Sequence, residues 1–328
     1  MVRYHGAMQI LRPPPDLMQF GLRAVKTIAC ADGSMDETER HFIATAQSIF
    51  GTDVDIDGLP PIGPEELARR VTDHALRRQL VRAMVVVSLV DGEASPAEAT
   101  LVEQFARALE IESKDLVALR HLADKHLTRA RFDIARRFFA VDKTRELVRE
   151  KGLGWLVRSL AAMAGLREDE AIARRYRELE GAPAGSLGRA YFDFVKTNGF
   201  SLPGEKGSPP ETIVVHDLTH VLSGYGTDPE GELQVLGFSA GCRREEKDPF
   251  SFLMFGIAEF HLGLAMSPVA TGSRGKLDLA LLFTAIERGS ACKIDPMDGW
   301  DYWPVMHEPL EELRSRYGIP PLQAPSMP

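Results

Sequence analysis

The sequence predicts an all-α protein of two helical domains. Three observations carry that expectation: apolar residues recur at helical spacing, no run alternates convincingly like a half-buried strand, and one helix–turn–helix unit returns fifty-nine positions along the chain. Only Met84 to Val90 is ambiguous between helix and strand. A length of 328 residues suits two domains, each able to bury a core. With 44% hydrophobic and 26% charged residues, the composition excludes a disordered, collagen-like or coiled-coil chain. A net charge of −8 argues against a protein that binds nucleic acid by neutralising phosphates, so no nucleic-acid partner is expected. Cys30, Cys242 and Cys292 stand far apart with no C-x-x-C pair, which suggests neither a disulfide framework nor a thiolate zinc site. The first residues carry no export signal, and a cytoplasmic location is expected.

The first domain is expected over residues 1–145. Ala31-Asp32-Gly33-Ser34-Met35-Asp36-Glu37-Thr38-Glu39 returns as Val90-Asp91-Gly92-Glu93-Ala94-Ser95-Pro96-Ala97-Glu98. The flanks repeat too: Leu22, Val25 and Ile28 match Val81, Met84 and Val87, while Phe42, Ile43 and Ala46 match Leu101, Val102 and Phe105. Each half reads as helix, Asp-Gly turn, helix. An EF-hand would need acidic ligands at alternate positions ahead of its Gly and a closing bidentate Glu, and that spacing is absent. Capping explains the acids better: Gly33 and Gly92 stop a helix, Ser34-x-x-Glu37 reads as a capping box, and Ser95-Pro96 as an N-cap with a first-turn proline. The paired arrangement resembles the tellurite-resistance TerB-like domain over residues 15–130. That resemblance implies a helical adaptor or sensing module and assigns it no catalytic residue.

The second domain is expected over residues 146–328. Amphipathic connecting helices fill 131–180, with Arg136-Arg137-Phe138-Phe139 and Leu156-Val157-Arg158-Ser159-Leu160 at helical spacing. Gly181 to Gly185 breaks the pattern. Ser186 can then cap a helix carrying Tyr191, Phe192 and Phe194 that stops near Asn198-Gly199, before a Pro/Gly loop from Gly204 to Pro210.

In Val214-Val215-His216-Asp217-Leu218-Thr219-His220-Val221-Leu222 two imidazoles stand four apart, which on a helix makes them neighbours able to share one metal. Gly224 and Gly226 end that helix, and Asp228-Pro229 starts the next. A short αα-hairpin then brings Glu232 level with His220. Two histidines and a carboxylate suit a divalent metal, Zn²⁺ or a non-haem Fe²⁺, with positions left for water or substrate. Asp217, about 100° around the helix from His216, is a fourth ligand, a support for the ligands or a general base. The plain alternative is two packed or exposed histidines and an acid favoured by its helix start. Asp217 stands where the His-Glu-x-x-His metalloproteases have Glu, one carbon longer, which disfavours a protease.

His-Asp-x-x-His followed after eleven residues by Glu is similar to the metal motif of the coenzyme Q biosynthesis protein 4 family. Gly185-Ser186-Leu187-Gly188-Arg189-Ala190-Tyr191, Asn198-Gly199-Phe200, Gly231-Glu232 and Leu313-Arg314-Ser315-Arg316-Tyr317-Gly318-Ile319-Pro320-Pro321 extend the likeness over roughly residues 150–328. The resemblance implies that His216, Asp217, His220 and Glu232 are the metal-binding set, with Zn²⁺ as the metal and Asp217 catalytic. It further implies loss of the C1 carboxylate from a prenylated 4-hydroxybenzoate-derived ring in ubiquinone biosynthesis, oxidative where a hydroxyl is installed at that carbon. Fe²⁺ serves better if oxygen is consumed, because Zn²⁺ cannot change oxidation state. Alternatives are a non-catalytic scaffold that binds prenyl lipid and gathers other quinone-biosynthesis proteins, and a TerB-type stress-response adaptor.

A prenyl tail needs an apolar home, and Phe250 to Phe255 with Leu277 to Ile286 offers apolar surface that core packing explains equally. Phe252 to Ala270 is long enough to span a bilayer but carries Glu259, His261 and Pro268, so a core helix is expected there. Trp300, Tyr302 and Trp303 either anchor at a membrane interface or cover the core. Peripheral contact with the inner face of the cytoplasmic membrane and a homo-oligomer are expected. Arg243 to Lys247 reads as a solvated helix face, and Glu259 and His261, two apart on a helix, as having separate structural roles.

Overall fold

Two capping boxes organise the first helices. The computed structural model describes residues 8–135, 137, 139–244, 248–266 and 272–322, and among these there are helices and turns but no strand. Helices α1 (Pro15–Ala29), α2 (Glu37–Phe50), α3 (Pro64–Arg70), α4 (His74–Val87), α5 (Pro96–Ala108), α6 (Asp115–Ala123) and α7 (Leu127–Ala135) follow in order. The Asp36 side chain accepts from the Glu39 N–H and Glu39 reaches back to the Asp36 N–H; Ser95 and Glu98 do the same fifty-nine positions on. The first box therefore sits two residues beyond the expected Ser34 and Glu37, because α2 begins only at Glu37. The repeat is otherwise realised in three dimensions: Leu22, Val25, Ile28, Val81, Met84 and Val87 are all buried, with Ile43 matched by Val102. Met84 to Val87 closes α4, so the ambiguous run is helix and then turn.

Both box glutamates are buried. Burial, reinforced by the charges of Glu98, Asp36 and Asp91, lifts the Glu39 carboxyl to about 8 against the lowering effect of its bond to the Asp36 N–H. Burial likewise lifts Glu98 to about 7, with Asp91 and Asp32 adding to it. The fold thus keeps protons that the unfolded chain loses near 4.5, so this contribution to stability is full below 4.5 and is lost as pH rises through about 7 to 8. The unfolding midpoint of the full chain is expected to be several degrees higher at pH about 5 than at pH about 8.5. Glu39→Gln keeps the capping geometry and should raise the midpoint at the higher pH only. An equal shift at both pH values would show that the charge is not responsible.

The chain divides into two compact units that interleave in sequence. One comprises Gln9–Arg136 and Leu253–Thr284, the other Met1–Met8, Arg137–Phe252 and Ala285–Pro328, where the sequence reading places a single boundary at 145/146. One contact ties 253–284 to the rest of the first unit. His261, in a π-helical turn over Ile257–His261, donates from Nε2 to the Val90 carbonyl at 2.9 Å, beside the second Asp-Gly turn. Burial pulls its imidazole below the ordinary value.

The second unit contains α8 (Phe139–Lys151), α9 (Leu153–Met163), α10 (Glu170–Arg177), α11 (Leu187–Thr197), α12 (Val214–Ser223) and α13 (Pro229–Cys242). Two helices, α14 (Phe250–Gly256) and α15 (Leu279–Ser290), cross from one unit into the other along the chain, and α16 (Leu310–Tyr317) closes the second. Its core gathers Tyr191, Val195, Leu218, Leu222, Phe238 and Leu313. Trp300, Tyr302 and Trp303 pack against that core, with the Trp303 ring 5.0 Å from that of Tyr176, so they cover it.

The charge run departs from expectation at Arg243, while Arg244 is exposed as expected. Helix α13 ends at Cys242, and Arg243 is buried beside Asp295 at 3.5 Å and over the Phe252 ring, because a cation that packs on an aromatic face and pairs with an acid need not be solvated. Glu245, Glu246 and Lys247 lie outside the described residues, as do Arg136, Phe138 and Pro268. Among the described residues no helix is long and apolar enough to cross a membrane.

Candidate metal centre

Helix α12 carries the two histidines, and both of its ends are fixed. At the start, Glu211 is buried and accepts from Lys151 Nζ at 2.7 Å, Trp155 Nε1 at 3.3 Å and the Tyr176 hydroxyl at 3.4 Å, which pins the 3₁₀ turn leading into α12. At the end, Gly224 takes the left-handed conformation at φ 82°. The last carbonyls find side-chain donors: Arg314 donates to Val221 and Leu222 at 2.8 and 2.9 Å, and Arg288 to Ser223 at 3.0 Å. Arg314 belongs to the Leu313–Pro321 segment whose position near the metal motif the sequence left open.

Helix α13 starts where Asp228 caps it, accepting from Glu230 and Gly231 N–H at 3.1 Å each, with Pro229 in the first turn. The hairpin closes tightly. A Cβ at Gly231 would sit 2.3 Å from the Gly226 carbonyl oxygen, so only glycine lets the two backbones meet. Its neighbour Glu232 is thereby delivered to the histidines, as the hairpin argument requires.

His216 Nε2 lies 3.5 Å from Glu232 Oε2, and His220 Nε2 lies 3.4 Å from Glu232 Oε1. The two imidazole centroids are 4.8 Å apart with planes at 73°. One donor atom from each of the three residues lies within 4.8 Å of the others. Two ligands about 2.1 Å from one ion at the tetrahedral angle stand about 3.4 Å apart, so the spacing fits a shared ion. His220 Nδ1 lies 3.2 Å from the Tyr225 carbonyl, an acceptor that fixes the proton on Nδ1 and leaves Nε2 its lone pair. Phe194 of α11 stacks on the same ring at 5.4 Å. Burial alone would raise the Glu232 carboxyl, but in the metal-free site the His220 hydrogen bond and the charges of protonated His216 and His220 outweigh it and hold it below its ordinary value. An ion on the two Nε2 atoms would take the place of those protons and favour the ionised carboxylate likewise.

Asp217 stands apart from this trio. Its Oδ1 is 3.7 Å from His216 Nδ1, on the far edge of the imidazole from Glu232. The structure thus brings His216, His220 and Glu232 together and places Asp217 beside the outer nitrogen of His216. Among residues that the sequence reading gave no role at the site, Tyr225, Phe194 and Tyr191 matter. The Tyr191 hydroxyl is fully buried with no hydrogen-bond partner among the described residues, and burial followed by the Asp217 carboxylate pushes the phenol well above its ordinary value. Its place on the capped helix α11 and in the Gly185–Tyr191 segment signalled it in advance, without a role.

The fold and site define an all-helical protein with a three-residue candidate metal centre in its second unit. A TerB domain, of the family described as tellurite resistance protein TerB, is found at residues 62–121. That span runs through α3, α4 and α5 into α6 and so takes in the second capping box. The comparisons give no evidence for a coenzyme Q biosynthesis family in the C-terminal half. No curated protein and no solved structure matches the chain.

Proposed function

We propose that the second unit holds one divalent metal on His216, His220 and Glu232 and uses it to remove the C1 carboxylate from a prenylated 4-hydroxybenzoate-derived ring in ubiquinone biosynthesis. The observation that carries the metal part is the convergence of two imidazole nitrogens and a carboxylate from α12 and α13, with donor atoms within 4.8 Å of one another. His216 and Glu232 remain partly exposed, at 17% and 20% of their side chains, so the centre opens to solvent on one side. A buried structural site would be closed by a fourth protein ligand. When bound, the ion supplies Lewis acidity toward a ring carboxylate or phenolate oxygen. In the reaction the C1–carboxylate bond breaks, its electron pair stays on the ring, carbon dioxide leaves and a proton takes its place at C1. Asp217 stands outside the trio beside the outer nitrogen of His216, and water entering from the open side supplies that proton.

A lipid substrate calls for contact with a membrane surface, and α9 supports that part of the reading. Leu153, Val157 and Leu160 are 70%, 66% and 49% exposed at helical spacing, while Trp155, Ser159 and Ala162 on the opposite face are buried. The TerB domain favours a second reading, a stress-response role in which the metal is structural or absent from function.

Purified protein loaded with Zn²⁺ or Fe²⁺ and given a carboxyl-labelled prenylated 4-hydroxybenzoate tests the enzyme directly. Release of labelled carbon dioxide that the apo-protein does not produce is expected. Metal bound at one equivalent with no release under either metal, aerobically or anaerobically, would remove the decarboxylase and leave the scaffold and stress-response readings.

A further inference from the structure

We propose that Asp217 is a positioning residue and not a fourth ligand, the middle of a chain Tyr191–Asp217–His216 that orients His216 for the metal. The inference rests on the metal reading above and assigns a role to two residues within it. A histidine that ligates through one ring nitrogen has the other held by a carboxylate or carbonyl, which fixes both tautomer and ring angle. His220 meets that requirement through the Tyr225 carbonyl at 3.2 Å. For His216 the corresponding group is Asp217, whose Oδ1 lies 3.7 Å from Nδ1 while Nε2 faces Glu232 at 3.5 Å. The two nitrogens point away from each other across the ring. An oxygen lying along the Nδ1 edge is therefore turned away from an ion bound at Nε2.

The far end of the chain comes from helix packing. Phe194 of α11 stacks on His220 of α12, and one turn back on each helix stand Tyr191 and Asp217. Asp217 is the foremost of the charges acting on the Tyr191 phenol, which puts the two side chains within electrostatic reach of one another. The buried Tyr191 hydroxyl, with no partner among the described residues, leaves a donor for the carboxylate to accept from. Drawing His216 onto an ion brings its Nδ1–H to Asp217, whose other oxygen then accepts from the Tyr191 O–H. The pair sets ring orientation without touching the ion.

The test is Co²⁺ binding to the metal-stripped full chain, read by titration and by the visible ligand-field spectrum. Wild type should bind one equivalent. Asp217→Asn should still bind one equivalent, ten- to a hundredfold more weakly, with band intensities that keep the coordination number. Tyr191→Phe should weaken binding about three- to tenfold without lowering the unfolding midpoint of the apo-protein, since the hydroxyl it removes has no partner to lose. The double variant should bind no more weakly than Asp217→Asn alone, because both act through one chain. Loss of stoichiometric binding in Asp217→Asn with its fold intact, matching His216→Ala, would make Asp217 a ligand and overturn the proposal. So would unchanged affinity in both single variants, or losses that multiply in the double variant. A wild type that binds no Co²⁺, Zn²⁺ or Fe²⁺ would instead overturn the metal reading itself, and the chain with it.

Discussion

The double variant His216→Ala, His220→Ala is expected to bind no divalent metal at concentrations that fill the wild-type site. Both imidazoles point their Nε2 atoms at one Glu232 carboxylate, 3.5 and 3.4 Å away, and losing two of three ligands leaves a single carboxylate. His220 is buried against Phe194, so its truncation also opens a small cavity that costs roughly 2–3 kcal/mol. Elemental analysis of folded protein is the direct measurement, with circular dichroism to establish that the helices persist. Retention of wild-type metal content would remove the assignment of these residues. In a deletion strain of the source organism, failure of this variant to restore what wild type restores is expected if the site is catalytic. Equal restoration by both would leave a scaffold or adaptor role.

Gly231→Ala is expected to be the most damaging single change in the hairpin that delivers Glu232. Its Cβ would stand 2.3 Å from the Gly226 carbonyl oxygen and 2.6 Å from the carbon, and both are backbone atoms that no rotamer can move aside. Opening the hairpin to accept a methyl group should cost about 3 kcal/mol, near the upper end for overpacking, and lower the unfolding midpoint by roughly 6–12 °C. Metal affinity should fall by at least tenfold, because Glu232 follows Gly231 and moves with it. Gly181→Ala is the control: its Cβ would meet no atom within 4 Å and its φ is ordinary, so little change is expected in either measurement. Equal losses in both variants would mean that the close approach at Gly226 is not the reason for glycine at position 231.

Local features were legible in the sequence because each depends on residues within a turn or two. Asp228-Pro229 started α13, Gly224 stopped α12, and the spacing of His216 and His220 put both imidazoles on one helical face. The repeat was legible for the same reason, since Leu22, Val25 and Ile28 and their counterparts obey a helical period that burial enforces. The capping box was displaced by two residues because Ser34 and Asp36 are both competent caps and the spacing Ser34 to Glu37 is as good on paper as Asp36 to Glu39. Which one is used depends on where α2 comes to rest against its neighbours.

By itself, then, the sequence determined an all-helical chain, a pseudo-repeated first module and a pair of histidines joined to Glu232 by a short hairpin. Only the tertiary structure decided which edge of each imidazole faces the centre, that Asp217 stands behind His216, and that Arg314 and Arg288 hold the last carbonyls of α12. It also decided that Leu253–Thr284 belongs with the first unit. The physical reason is common to all of these. Helical periodicity fixes the direction of a side chain relative to its own axis, whereas its partner is set by the rotation and stagger of a second helix, which depend on packing between residues as far apart as Leu222 and Arg314 or Val90 and His261.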